Sequence, residues 1–207
     1  MIIFDIFRIK PLLKYIRSIL TFLKLILKGD VSKKIEFQNY PQIINKGRIF
    51  IGNGAYIGKN VSFKVASGGI LEIEDEVIIS NNCNFNVRKN SRIKIGRYSR
   101  INSGSIISGD INIEQNVIVA PNVVMISDSH RLNHDGLSID EADKAFGMKE
   151  GTITIKEHAF IGVGSVLLHS IEIGSGSIVG AQTTITNSVG NNEVIVGASA
   201  VNISAKD

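Results

Sequence analysis

Four histidines, His130, His134, His158 and His169, are the side chains in this 207-residue sequence whose ordinary titration range spans neutral pH. His130 closes the stretch Met125-Ile126-Ser127-Asp128-Ser129-His130, with a carboxylate, Asp128, two positions before it. In extended chain, residues two apart face the same side. Asp128 is therefore placed to hold one imidazole tautomer, leaving the other ring nitrogen as a general base. Such a base suits a hydroxyl, which is a poor nucleophile until its proton is taken. A zinc centre fits less well. It needs three convergent ligands, no histidine precedes His130, and His130 and His134 straddle the root of one loop. The single cysteine, Cys83, excludes an internal disulfide framework and fits a reducing compartment.

The elements that must carry these residues are written in a period of six. An aliphatic or aromatic residue returns at Ile51, Ile57, Phe63; Ile73, Ile79, Phe85; Ile95, Ile101, Ile107; and Ile113, Val119, Met125. After a gap it resumes at Ile155, Ile161, Leu167 and Ile173, Val179, Ile185, with a last echo at Val196. Neither a lone helix nor a plain strand has this period, and a fixed repeat outranks local propensity. Three hexads make one triangular coil, and stacked coils make a parallel β-helix. Residues two before each repeat should also face inward, and they run Ile49, Ala55, Val61; Leu71, Val77, Cys83; and onward to Ser177 and Thr183. None of that column is charged or aromatic, which makes Cys83 a small core residue. Extra residues collect between the third face of one coil and the first face of the next. The largest excess is the excursion 131–154, and insertions on one face of a repeat protein often mark its binding face. His130, five positions after inward Met125, should point outward at the root of that excursion.

Residues 1–30 read as a separate unit, ahead of a β-helix domain over 31–207. Ile2, Ile6, Ile9, Leu13, Ile16, Leu20, Leu23 and Leu27 form a helical stripe, with Lys10, Lys14, Arg17, Lys24 and Lys28 along one edge. Two readings stand: a helix packed within the protein or its oligomer, and a basic amphipathic helix on an anionic membrane surface. Liposome flotation with and without residues 1–29 separates them. Charges interrupt the segment too often for a secretory signal or a spanning helix. The chain carries 23 Lys+Arg against 19 Asp+Glu, a mild basic excess that favours anions such as coenzyme phosphates or acidic lipids. No nucleic-acid motif accompanies it. A cytoplasmic protein is expected, with the inner face of the membrane as the second reading.

Hexads of the form Ile-Gly-x-x-Ala/Ser/Val-x resemble those of the hexapeptide-repeat acyltransferases, over roughly residues 49–203. The most specific stretch, residues 155–186, reads IKEHAFIGVGSVLLHSIEIGSGSIVGAQTTIT. It is most similar to the sugar and polysaccharide O-acetyltransferases. The resemblance implies a left-handed parallel β-helix of about seven coils, all-β apart from the N-terminal helix, assembled as a homotrimer with sites between prisms. It implies acetyl-CoA as cosubstrate, no metal, and a saccharide acceptor. It makes His130 the general base, with Asp128 beside it and a backbone N–H at the oxyanion. Gly162, Gly180 and Ala181 match small positions along the coenzyme arm, and His169 a turn near the coenzyme. His134, by its own place inside the excursion, is expected to contact the acceptor. The family's closing G-x-P-A-[KR] is replaced by Gly197-Ala198-Ser199-Ala200-Val201, which leaves Lys206 as the nearby cation for the phosphates, with a loosely held coenzyme, Lys156 or another chain as the alternatives. An amino-sugar N-acetyltransferase needs a base at the same place, and a non-catalytic β-helix scaffold is the other alternative. His158 is expected at a coil corner on the surface.

Overall fold

A computed structural model describes residues 19, 20, 23, 35–39, 41–132 and 136–197. Within them the chain winds into a parallel β-solenoid of three sheets holding eight, seven and six strands. The first face holds strands such as Arg48–Ile51, Ile70–Ile73 and Arg92–Ile95. The second holds short strands such as Arg100–Ile101, and the third Asn84–Val87 and Val124–Ile126. Every pairing between strands is parallel, one coil apart, and keeps the aliphatic positions in register: Ile73 lies beside Ile95, Ile79 beside Ile101, and Phe85 beside Ile107. The N-terminal helical segment and the boundary near residue 30 fall outside the described residues, apart from Ile19, Leu20 and Leu23, which are helical.

Both inward columns are buried, from Ile49 and Ala55 to Ser177 and Thr183. The shape of the prism explains the residue types. A strand of two to four residues presents one or two side chains to a narrow interior, so branched aliphatics fill it and small residues fit near the corners. Phe63 and Phe85 meet there as a tilted pair, with ring centroids 5.5 Å apart and planes at 55°. Inward serines are paired: Ser99 Oγ donates to the Glu114 carbonyl at 2.8 Å and accepts from the Val117 N–H at 3.0 Å. Cys83 is buried with its Sγ 3.3 Å from the Asn102 carbonyl oxygen. Burial pushes its thiol up to about 11, which leaves it protonated and inert as a nucleophile.

The corners need left-handed backbone, and the sequence supplies residues that tolerate it. One corner column runs Asn60, Asn82, Gly104, Asn122, Gly164 and Gln182, all at positive φ. At Gly104 a Cβ would stand 2.1 Å from Asn122 Oδ1, so a side chain there requires that amide to turn aside.

Two features depart from the sequence expectation at the solenoid's ends. The coils begin earlier than Ile49: Phe37 pairs with Ile57, and Ile43 with Phe63. At the other end Val189 bridges to Ile173 on the first face, and Ile195 pairs with Val179 on the second. The last coil therefore starts four residues after Ile185, and Val196, expected as the last inward repeat, is exposed. The corner is tightened, where the spacing from Ile185 to Val196 suggests five extra residues near 190–194.

Candidate functional site

The long excursion leaves the third face after Ile126 and rejoins the first at Thr152. Its root is closed like a hairpin. Ser129 and Lys149 form an antiparallel bridge, the Ser129 N–H donating to the Lys149 carbonyl at 3.0 Å and the reverse bond measuring 2.8 Å. Beyond the root the chain forms a helix, α1, over Ile139–Phe146. The sequence shows why it starts there. Ser138-x-x-Glu141 is a capping box: Glu141 Oε2 accepts from the Ser138 N–H at 3.0 Å, and Ser138 Oγ accepts from the Glu141 N–H at 3.4 Å. Gly147, at φ 72°, ends it.

Helix α1 returns Asp143 to the root. Asp143 Oδ2 pairs with His130 Nδ1, and Oδ1 accepts from the Arg131 N–H at 3.1 Å. Arg131 Nε also donates to the Gly147 carbonyl at 2.8 Å, tying the helix end to the excursion's root. The hydrogen bond from His130, and then that from the Arg131 backbone, hold the Asp143 carboxyl below its usual range. The carboxylate on the imidazole is thus Asp143. Asp128, expected there from its place two residues upstream, is paired with Arg88 instead, Nε to Oδ2 at 2.9 Å. The physical reason is that the strand ends at Ile126, so alternation no longer governs where Asp128 and His130 point.

His130 lines a cleft of about 350 Å³ with Ser129, Arg131, Leu132, Lys149 and His169. His169 is brought beside His130 because it occupies the same corner one coil further on, with its backbone at φ 65°. Two cations, Arg131 and Lys149, make the cleft electropositive, and neither stood out in the sequence. Asp143 was equally hidden there: it lies 13 residues from its partner, and only the capping box at Ser138 signalled the helix that carries it.

The small residues proposed for a coenzyme lie elsewhere on the prism. Gly162, Gly180 and Ala181 follow second-face strands at the corner between the second and third faces, whereas His130 and His169 stand at the corner between third and first. One chain does not bring the two sets together. Gly162 also has a packing reason of its own, since a Cβ would meet the Ala181 nitrogen at 2.6 Å. Lys156, the alternative phosphate cation, lies 3.2 Å from Glu114 and 3.7 Å from Glu172. Hydrogen bonding to Glu114 raises its pKa, and the two carboxylates would repel an anion there. His158 is exposed at a corner, as expected. His134 and Lys206 lie outside the described residues.

Residues 152–187 match the family model described as bacterial transferase hexapeptide (six repeats). That segment therefore carries the hexapeptide repeat. Among curated relatives of this repeat, galactoside O-acetyltransferase of Escherichia coli (strain K12) is 31% identical over 109 residues, 52% of this chain and 51% of that protein. The bifunctional protein GlmU of Wigglesworthia glossinidia brevipalpis is 27% identical over 202 residues, 92% of this chain and 39% of that one. The chain spans about half or less of the length of these relatives. A solved hexapeptide-repeat acetyltransferase, VCA0836 of Vibrio cholerae O1 biovar eltor complexed with acetyl coenzyme A, is 20% identical. That alignment covers 74% of this chain and 72% of the other, with a TM-score of 0.47. No described helix is long and apolar enough to cross a membrane.

Proposed function

We infer that the protein transfers an acetyl group from acetyl-CoA to a saccharide hydroxyl at the His130 cleft. The observation that carries this reading is the His130–Asp143 pair at the root of the excursion, in a hexapeptide-repeat solenoid. Asp143 accepts the Nδ1 proton and so leaves Nε2 as the base. His130 removes the proton of the acceptor hydroxyl as its oxygen bonds to the thioester carbonyl carbon. The carbonyl oxygen gains negative charge, which the cationic cleft favours. On collapse the C–S bond breaks, and the imidazolium returns the proton to the departing thiolate of coenzyme A. Atoms and charge balance without a metal. An amine acceptor would be served by the same base, so the amino-sugar reaction uses the same geometry. Incubation with acetyl-CoA and a panel of sugars and amino-sugars, read by mass spectrometry, tests the reading. Acetylated sugar with release of free thiol is expected, and neither product with any acceptor would overturn it.

The separation of the two corners supports a homotrimer with the coenzyme arm between neighbouring copies. On the second face the outward residues Ile118, Phe160, Ile178 and Val194 form a continuous exposed apolar ladder, unusual for a surface meant to stay in water. Packing of this ladder against a second copy would bring the Gly162 and Gly180–Ala181 corner into an intersubunit cleft, where a partner's His130 would complete the site. Sedimentation at micromolar concentration should give the mass of three chains. A monomer that still transfers acetyl would remove the shared-site idea.

A further inference from the structure

On the other side of the excursion root lies a second, larger cavity of about 680 Å³. The ribbon that closes the root separates the two spaces. Ser129 and Lys149 line the His130 cleft, while their neighbours Asp128, Met148 and Glu150 line the larger groove. The groove follows one edge of the prism, from Lys64 and Ala66 past Arg88, Asp110 and Asp128 to Ser170. These residues belong to five successive corners, about 19 Å at ~4.8 Å between strands. That is longer than a single sugar ring.

One feature of the groove is unexplained by the fold. The Asp128 side chain is only 9% exposed, and its Oδ2 is satisfied by Arg88. Its Oδ1 is buried with no hydrogen-bond partner. A buried acceptor left empty costs about 1–3 kcal/mol, and native structures keep such groups chiefly where a ligand or water completes them. Asp143 is the carboxylate paired with the His130 imidazole, and Asp128 is paired with Arg88, so orienting the base does not account for it. Arg88 holds the carboxylate through Nε, and 44% of its side chain is exposed.

The charges of the lining balance: Lys64, Arg88 and Lys89 against Asp110, Asp128 and Glu150. A cradle for phosphates would carry a cationic excess, so the groove suits a neutral ligand. Paired carboxylate and guanidinium, with Asn86, Ser91 and Thr152 nearby and the apolar flank of Met148, match the mixed surface of a polyhydroxylated ring. We propose that this groove binds further sugar units of the acceptor, a small turn of the Asp128 side chain bringing its unsatisfied Oδ1 onto a sugar hydroxyl while Arg88 donates to the neighbouring one. The protein then acts on an oligosaccharide or glycan chain in preference to a single sugar. The proposal rests on the acetyl-transfer reading for the class of ligand.

The test uses the full-length protein on an array of neutral mono-, di- and tetrasaccharides, with acetyl-CoA binding measured separately by calorimetry. Tetrasaccharide signals are expected to exceed those of the constituent monosaccharides by at least tenfold. Asp128→Asn should lower them by a similar factor. Arg88→Met empties the same pair from its other side, and it serves in place of Asp128→Asn if that variant melts early. Equal signals for one ring and four, capture of no glycan, or variants that bind as wild type would overturn the proposal. Acetyl transfer to single sugars without oligosaccharide binding would sink this inference alone. Glycan binding without acetyl-CoA binding would support the groove and overturn the transferase reading.

Discussion

Replacing His130 with alanine is expected to lower kcat for acetyl transfer by about 10²–10⁴-fold, the usual contribution of a positioned general base. Stability should hardly change. The imidazole is 63% exposed and stands outside the buried columns of the prism, where substitutions ordinarily cost within about 0.5 kcal/mol. KM for acetyl-CoA should also stay near the wild-type value if the base acts on the acceptor proton alone. Steady-state kinetics alongside a thermal melt separate these outcomes. Activity within a few-fold of wild type, in a protein that melts normally, would remove His130 from the chemistry. The cleft would then need another base, and His169 is the neighbouring imidazole.

Asp143→Asn is expected to reduce kcat by about tenfold or more, well short of the ~10⁴-fold loss known for a buried triad aspartate. The difference follows from exposure. The His130 side chain is 63% exposed, so water reaches the imidazole and can replace part of the carboxylate's effect, although Asp143 itself is 18% exposed. The amide still reaches the ring, but it removes the negative charge that favours the imidazolium formed during transfer. KM should stay unchanged while kcat falls. A purely structural role would disturb the excursion and both constants together, and Asp143→Glu should recover part of the rate only if the charge matters. The pH dependence of the contact has a definite sign. The Asp143 carboxyl is depressed by its hydrogen bond to His130 and by the Arg131 N–H. Its contribution is thus fully present above the ordinary carboxylate value of about 4 and is lost as pH falls through the lowered folded value. The helix-to-root contact should persist through neutral pH and fail only in acid.

The repeat and the histidine were legible in very different degrees. Each inward position of the β-helix is set by a neighbour one strand away and repeated in every coil. Errors at one hexad are therefore corrected by the rest, and both columns, with Cys83 and the inward serines, could be read before any coordinates. The solenoid's ends were less clear, because Phe37, Ile43 and Val189 each stand beside only one neighbouring coil. His130 was legible through its place at the last inward step before the excursion. Its partner was not. Alternation predicted Asp128, and alternation stops where the strand stops, at Ile126.

What the sequence by itself determined is the parallel solenoid, its core, the corner from which the excursion leaves and the residue at that excursion's root. These follow from short-range periodicity, in which each residue's direction depends on the strand it occupies. Only the tertiary structure decided that helix α1 turns Asp143 back onto His130. It alone paired Arg88 with Asp128 and split the root into a cationic cleft and a charge-balanced groove. It also placed the glycine corner away from the histidine corner. Each of these depends on how a long excursion closes on the prism, or on how separate coils meet at an edge. No spacing along the chain encodes those distances.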